Sequence, residues 1–369
     1  MLGSTTQRIL VVGGGIAGLA TARALRLAGF RPEVTEWQSA PMAVAGGIYL
    51  LGNAARSLRE LGLDGPVRPL GQVIGRQRWL DLRGRRLCEV DLGLLWAGVG
   101  ECRALPRAEL HQVLLTAAGG EVRYATGISA LTLGPETVEV TFDDGRRAEY
   151  DLVIGADGRH STVRALAALG GPARAVGQVT YRSVVTGGPR VTEWTALLGQ
   201  HSAFVVVPMG AGRLHCYADE TCNEVPEDPV ARLRERFAEY GGPVPGVLDA
   251  IRSVRVATSD EVELGRWSRG RVVLVGDAAH ATAPTLAQGA AMAFEDALVL
   301  AGALSKAESV PEALLRYESR RRPRTKWVLD RTRDRDRTRD VPPPLRDPLL
   351  RGRGARIFAE HYRLLLDPA

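Results

Sequence analysis

Lysine is nearly missing from this chain: Lys306 and Lys326 are the only two among 48 basic residues, and every other basic position is arginine. The net charge of +6 is therefore carried by arginines, and these are scattered along the sequence. They read as a compositional bias of the kind a GC-rich bacterial genome produces. No nucleic-acid partner is expected, because a footprint of that kind clusters its charge. Cysteine is scarce as well. Cys88, Cys102, Cys216 and Cys222 show no C-x-x-C spacing and no flanking histidine pattern, and His111, His160, His201 and His361 share no ligand spacing. Metal is thus not expected, and free thiols in a reducing cytoplasm are. Long apolar runs are also lacking: none reaches the roughly 18 residues of a spanning helix, and a core strand already begins at Ile9, where a signal peptide would need room. Cytoplasmic, membrane-free localisation is the expectation. What remains is 45% hydrophobic and 24% charged residues, a balance that builds a packed globular core.

The most informative stretch runs from Arg8 to Glu36, RILVVGGGIAGLATARALRLAGFRPEVTE. Ile9 to Val12 form a short continuous apolar run, the pattern of a parallel strand buried on both faces. Gly13, Gly15 and Gly18 then make G-x-G-x-x-G, with Ala17 inside it. The first glycine permits the tight turn, the second lets backbone approach a pyrophosphate, and the third lets helix pack on strand. A helix from Ile16 to about Leu27 aims its positive end at that pyrophosphate. Glu36 follows 18 residues after Gly18, where an acid accepting a ribose hydroxyl belongs. The stretch reads as dinucleotide binding and does not by itself separate NAD from FAD.

Two later segments repeat the pattern of apolar strand followed by glycine. Leu152 to Gly155 leads into Ala156-Asp157-Gly158, and Arg271 to Val275 leads into Gly276-Asp277. In an open parallel sheet, ligands sit at the carboxyl ends of the strands. Gly276 admits close backbone approach, and Asp277 offers a carboxylate to a ribitol or ribose hydroxyl. Pro284 stiffens the following loop, and Gln288-Gly289 opens a helix whose free N–H groups can stabilise negative charge on a flavin ring.

With these three ordered motifs the sequence resembles the single-component FAD-dependent aromatic hydroxylases, the group A flavoprotein monooxygenases typified by para-hydroxybenzoate hydroxylase, over about residues 8 to 330. The resemblance implies that Gly13, Gly15, Ala17, Gly18 and Glu36 bind the ADP half of FAD. It implies that Asp157 and Gly158, and beside them Arg159 and Arg164, touch FAD and a transient nicotinamide cofactor. It also places Gly276, Asp277 and Pro284 at the ribitol and phosphates, with Gln288 and Gly289 near the ring. Arg107 matches the arginine of the family's R-x-x-L helix start, and Gly47-Ile48 its small-residue loop beside the flavin. Ala287 departs from the family's usual Gly-Gln-Gly, and the tryptophan motif of flavin halogenases is absent. The implied activity is NADH- or NADPH-driven insertion of one oxygen atom from O2 into a small or medium organic substrate through a flavin hydroperoxide. Hydroxylation and epoxidation both stay open, on an aromatic or natural-product-like molecule of secondary metabolism. An oxidase or reductase on the same fold, or a non-catalytic FAD-binding protein, is the alternative.

The expected fold is α/β: a Rossmann-like FAD-binding domain with an inserted β-sheet substrate domain, para-hydroxybenzoate hydroxylase-like, and a C-terminal helical segment. The expected division gives 1–75, 101–176 and 263–340 to the FAD-binding domain, 76–100 and 177–262 to the substrate domain, and 341–369 to the tail. Leu286 to Ala303 reads as a long helix, and alternating segments such as Thr195 to Val207 read as sheet. Arg316 to Arg339, with interleaved Asp334 and Asp336, reads as a solvated, salt-bridged helix face. Pro342-Pro343-Pro344 is expected to break it, with a last helix over Ala355 to Leu366. On the substrate side, the period of two sets Arg213, His215 and Tyr217 on one strand face. His215 or Tyr217 can polarise a phenol-like hydroxyl, and Arg182 can meet an acidic substrate. His280 reads as a loop-packing residue. The partners expected are the substrate and O2, and the protein a monomer or homodimer.

Overall fold

The computed structural model describes residues 7–41 and 46–369. The apolar run Ile9–Val12 pairs in parallel with Leu152–Gly155 on one side and Glu33–Thr35 on the other, and Leu152–Gly155 pairs in parallel with Val272–Leu274. These strands sit at the centre of a six-stranded sheet with Val122–Arg123 and Ser268–Arg269 at its edges. Ile9, Leu10, Val11, Val153, Ile154, Val272 and Leu274 are all fully buried, which is why the strands carry continuous apolar runs and not an alternation. The register matches Val12 to Gly155 and Gly155 to Leu274, so the three glycine motifs leave the sheet side by side at one edge.

A second sheet has seven strands: Arg255–Glu261, Arg174–Thr186, Arg213–Thr221, Ser202–Pro208, Trp194–Leu198, Arg76–Asp81 and Arg86–Asp91, in that spatial order. Segments far apart in the chain therefore share one sheet, with Arg76–Asp81 laid parallel to Trp194–Leu198. Strand alternation sorts its two faces. Val179, Tyr181, Val185, Phe204, Leu214 and Cys216 pack under the helices Pro229–Arg236 and Val244–Ala250 as a separate core. Trp79, Ala196, Val205 and Val207 lie on the opposite face and join the core of the six-stranded sheet. Arg182 is paired with Tyr217, and Tyr217 with Val205; His215 is paired with Val207. Arg182, His215 and Tyr217 consequently project from the face turned to the six-stranded sheet.

Thr195 to Val207 is sheet as expected, built as a hairpin of Trp194–Leu198 and Ser202–Pro208 turned through His201 at φ +59°. Other local expectations are corrected. Leu286 to Ala303 divides into a short 3₁₀ turn, Pro284–Leu286, and the helix Gly289–Lys306, because Ala287 between them adopts a left-handed conformation at φ +53°. The proline triplet starts a helix instead of only ending one: Pro343–Glu360 is helical from its first proline, since N-terminal helix positions need no intrahelical N–H. The segment foreseen from Ala355 supplies only its final turns.

The largest correction concerns the arginine-rich helix Val310–Thr338. Its face toward the protein is not solvated: Arg321 is 0% exposed, and Arg324 and Arg335 are nearly as buried. Arg321 donates to Asp296 Oδ1 at 2.7 Å and to Glu295 Oε2 at 2.7 Å, and Arg324 donates to Glu295 at 2.7 and 3.0 Å. Glu295 and Asp296 belong to Gly289–Lys306, which packs between Val310–Thr338 and the first helix, Ile16–Leu27. Removing Arg321 as Arg321→Met should leave two buried carboxylates short of a cation and cost about 3–5 kcal/mol. Urea unfolding of the variant measures this, and a loss below about 1 kcal/mol would show that the pair does not hold these helices.

Candidate functional site

The glycine loop is shaped by what surrounds it. A Cβ on Gly13, at φ +115°, would lie 2.5 Å from the Ala156 carbonyl oxygen, and one on Gly18 would lie 1.8 Å from that of Gly13. Both glycines are demanded by the packing of the protein itself. A Cβ on Gly15 would meet no atom within 4 Å. Gly15 is the N-cap of Ile16–Leu27 with no side chain capping the helix, so the first N–H groups of the helix have no side-chain acceptor there. Two residues steady the loop: Glu36 Oε2 accepts the Gly14 N–H at 2.7 Å, and His111 Nε2 lies 2.9 Å from the Gly14 carbonyl oxygen. The second Glu36 oxygen accepts the Gln38 N–H at 3.0 Å, and both oxygens keep acceptor capacity for a further donor.

The second motif lies beside it. Asp157 turns its carboxylate into its own loop, accepting the Ser161 hydroxyl at 2.5 Å and the Val163 N–H at 3.0 Å, while burial raises its pKa. Gly158, at φ +81°, presents backbone. Arg164 clamps this motif to the third one. It is 2% exposed and donates to the Arg159 carbonyl at 2.8 Å and the Ala278 carbonyl at 2.9 Å.

In the third motif, Gly276 sits at φ +59°, where a Cβ would be 2.7 Å from that of Ala17. The Gly276 N–H donates to Asp296 Oδ2 at 2.8 Å, and His280 Nε2 meets the same oxygen at 2.6 Å. Burial alone would raise the Asp296 carboxyl, but His280 and Arg321 hold it at about 2. His280 thus packs and pins the motif. Asp277 is exposed beyond the strand end, and Gly289 opens its helix nearby: a Cβ there would be 3.8 Å from Asp277 Oδ1. Gln288, the N-cap, exchanges amide hydrogen bonds with Asn53 at 2.9 and 3.3 Å, and Asn53 also donates to Glu295 at 3.1 Å. Pro284 begins the turn before it.

The face of the seven-stranded sheet closes over this edge. The Gly47 N–H donates to His215 Nδ1 at 3.3 Å, which leaves the neutral imidazole its proton on Nε2. Burial, helped by Arg182, lowers His215 to about 4, so the ring is uncharged at neutral pH. A Cβ on Gly47 would collide with His215 at 2.5 Å, and Ile48 continues the same strand, Gly47–Leu50. The Tyr217 hydroxyl is buried and has no hydrogen-bond partner among the described residues. Burial raises its pKa further, and the Arg182 guanidinium lies 5.8 Å from its ring centroid. Burial also lowers Arg107 and Arg182. Asp277 opposes the shift in Arg107, Tyr217 and then Asp277 oppose it in Arg182, and Arg255 adds to it in both. Three distant segments, the start of Arg107–Ala118, the Gly276-Asp277 turn and the sheet face, therefore share one electrostatic neighbourhood.

Sequence reasoning missed His111, Asn53, Glu295 and Arg321 as supports of this site. Only Glu295 carried a signal, as the neighbour of Asp296 in the third motif. A cavity of about 570 Å³ lies elsewhere, between Leu58, Val67, Ile74, Leu92 and Trp96, and none of the glycine-motif residues lines it. Among the described residues no cluster of three metal-ligating side chains exists, and no helix is long and apolar enough to cross a membrane.

Residues 6–332 match the family described as FAD binding domain. The chain is 35% identical over 325 residues to an aurachin C monooxygenase/isomerase of Stigmatella aurantiaca, covering 85% of each protein. It is 36% identical over 353 residues to the 3-amino-4-hydroxybenzoate 2-monooxygenase PtnB3 of Streptomyces platensis, covering 89% of this chain and 87% of the relative. Among solved structures, Klebsiella pneumoniae HpxO complexed with FAD and uric acid superposes with a TM-score of 0.79 at 25% identity, over 98% of this chain and 92% of that one.

The loop geometry separates two kinds of glycine. Gly15→Val should fold normally, since its side chain enters empty space, yet purify without FAD. Gly18→Ala should lose stability, because its Cβ has no room, by about 1–3 kcal/mol. Flavin absorbance and thermal unfolding of the two variants check this. A yellow Gly15→Val protein would contradict the assignment of that space to a pyrophosphate.

Proposed function

The chain belongs to the FAD binding domain family and is an FAD-dependent monooxygenase, and from that premise we propose that it oxygenates an electron-rich ring carrying an ionisable hydroxyl, carboxylate or ring N–H. The observation that carries this reading is the Arg182–Tyr217 pair: a half-buried guanidinium beside a half-buried phenol whose hydroxyl is itself buried and unpartnered, on the sheet face that covers the motif edge. An unpaired buried hydroxyl costs stability unless a ligand completes it. The substrates named for two relatives, 3-amino-4-hydroxybenzoate and urate, are rings of this chemical kind.

The residues divide as follows. Gly13, Gly15, Ala17, Gly18 and Glu36 take the ADP half of FAD. Arg107, Asp157, Gly158, Gly276, Asp277 and Pro284 flank its phosphates and ribitol, with Asp157 contributing backbone because its carboxylate is engaged within its loop. Gly47, Ile48, Gln288 and Gly289 border the ring. FAD, when bound, supplies electron transfer from NADH or NADPH and the activation of dioxygen. Arg182 orients an anionic substrate and favours its ionised form, Tyr217 exchanges a hydrogen bond with the substrate's polar group, and neutral His215 holds the Gly47 backbone in place. The apolar neighbours Val205 and Val207 keep water from this face.

The seven-stranded sheet supports a substrate unit close to 76–100 and 177–262, its strand Arg174–Thr186 starting slightly before that bound, set on an FAD-binding unit of 1–75, 101–176 and 263–340, with 341–369 as a helical tail. The free thiols of Cys88, Cys102, Cys216 and Cys222 suit a reducing cytoplasm, and a monomer or homodimer suffices for a site built from one chain.

Labelled dioxygen tests the reaction: one labelled atom should enter the product, and NAD(P)H oxidation with no label in any product would remove oxygen insertion. Tyr217→Phe tests the site. Deleting an unpartnered hydroxyl should leave the melting temperature unchanged or higher, while kcat falls about 10-fold or more. Arg182→Met should raise KM for an anionic ring by a factor of about 10 to 100, corresponding to about 1.5–3 kcal/mol for a charged hydrogen bond. Unchanged kinetics in both variants would move the substrate off this face.

A further inference from the structure

The Pro284–Leu286 turn is tied to the substrate sheet through a single carboxylate on the C-terminal part of the long helix Val310–Thr338. Thr285 Oγ1 donates to Asp336 Oδ1 at 2.6 Å, and Arg339 donates to the same oxygen at 3.2 Å. Arg339, 8% exposed, also donates to Asp219 on the strand Arg213–Thr221. In the amide orientation that satisfies both of its ends, Gln178 on the strand Arg174–Thr186 accepts from Arg339 at 2.7 and 2.8 Å and donates to Ser259 Oγ at 3.1 Å. One chain of hydrogen bonds thus runs from the turn, through Asp336 and Arg339, to three adjacent strands of the sheet that carries Arg182 and Tyr217.

We propose that Asp336 is a positioning residue of the oxygenation reaction: its ionised carboxylate locks the Pro284–Ala287 turn against the substrate sheet, and its protonation slackens that lock. The inference rests on the reading above, in which Pro284 flanks the ribitol and this turn leads straight into Gln288 and Gly289 beside the ring.

A purely structural role is poorly served by a carboxylate here. Burial raises Asp336 to about 6 although the Thr285 hydroxyl and the Arg335 guanidinium work against the shift. Glu261, from the strand Arg255–Glu261, and Asp340, just beyond the helix, push it up further. Arg339 pairs with it directly, and the Tyr217 phenol senses its charge from the sheet. Because the folded-state value lies above the ordinary one, Asp336 favours the fold when protonated, and that contribution is lost as pH rises through about 6. The lock has the opposite dependence. It is complete above about 6, where the carboxylate holds both Thr285 and Arg339, and weakened below. An asparagine would keep the hydrogen bond to Thr285 without the cost of ionisation, and would forgo the attraction to Arg339.

The test uses the FAD-loaded protein, its Asp336→Asn and Thr285→Val variants, and two readouts between about pH 5 and pH 8. Without substrate, the absorbance of bound flavin in the wild type should change with a midpoint near 6. Asp336→Asn should show the wild type's low-pH spectrum throughout, and Thr285→Val should show no transition, since the turn no longer senses the carboxylate. The melting temperature of Asp336→Asn relative to wild type should climb as pH rises through the same midpoint. With substrate, the fraction of NAD(P)H electrons lost to hydrogen peroxide should rise in the wild type below about 6 and be pH-independent in Asp336→Asn. An Asp336→Asn protein with the wild-type spectral midpoint, or a flat wild-type spectrum in an enzyme that still incorporates labelled oxygen, overturns the inference alone. Wild-type protein that holds no FAD overturns the reading of the site together with it.

Discussion

Two carboxylates and two guanidiniums withdrawn from water hold the site together. Glu295 and Asp296 are adjacent on one helix, and Arg321 and Arg324 answer them from the next. Such pairs rarely add net stability over apolar residues of equal volume, because desolvation offsets most of the attraction. What they provide is direction. Asp296 has one oxygen for Arg321 and the other for the Gly276 N–H and His280, so the ion pair fixes the backbone of the third motif at the point where it leaves the sheet. Glu295 does the same for Asn53 and, through it, Gln288. Arg324 and Arg56 reach on to the carbonyls of Leu364, Leu365, Leu366 and Asp367, so the C-terminal segment is fastened to the same cluster.

The parallel strands and their glycine turns were legible because their constraints are local. Gly13 and Gly18 are required by atoms within a few ångströms, the apolar strands announce burial on both faces, and Glu36 stands at a fixed distance along the chain. Even there, side-chain direction was not readable: Asp157 looked like a ligand-facing acid and proves to cap its own turn. The period of two likewise placed Arg213, His215 and Tyr217 on one face, but not which domain that face would meet, since this depends on pairings such as Trp79 with Ala196 across more than a hundred residues.

What stayed hidden has a common physical cause. In the stretch from Arg316 to Arg339 the buried and the exposed arginines are chemically identical, and only tertiary packing separates Arg321 from Arg320. The proline triplet misled for a related reason: proline both ends a helix and suits the first turn of the next, and which applies depends on where the chain goes afterwards. Ala287 shows the limit from the other side. Its left-handed conformation costs an alanine roughly 1 kcal/mol, a strain that the surrounding hydrogen bonds of Gln288 and Thr285 sustain.

The distribution of satisfied and unsatisfied groups then becomes intelligible. Behind the motif edge, buried polar atoms such as Asp296, Arg164 and Arg321 have more than one partner each. In front of it, the Tyr217 hydroxyl has none among the described residues, a Gly15 side chain would meet nothing, and Asp277 stands in solvent. Other buried polar atoms without a partner, such as Trp96 Nε1 and Trp327 Nε1, lie elsewhere in the fold, so it is the nearness of Tyr217 to Arg182, on the sheet face that also carries His215, that sets this hydroxyl apart. Stability and incompleteness are divided between the two sides of one loop, and the incomplete side is the one that a cofactor and a substrate can complete.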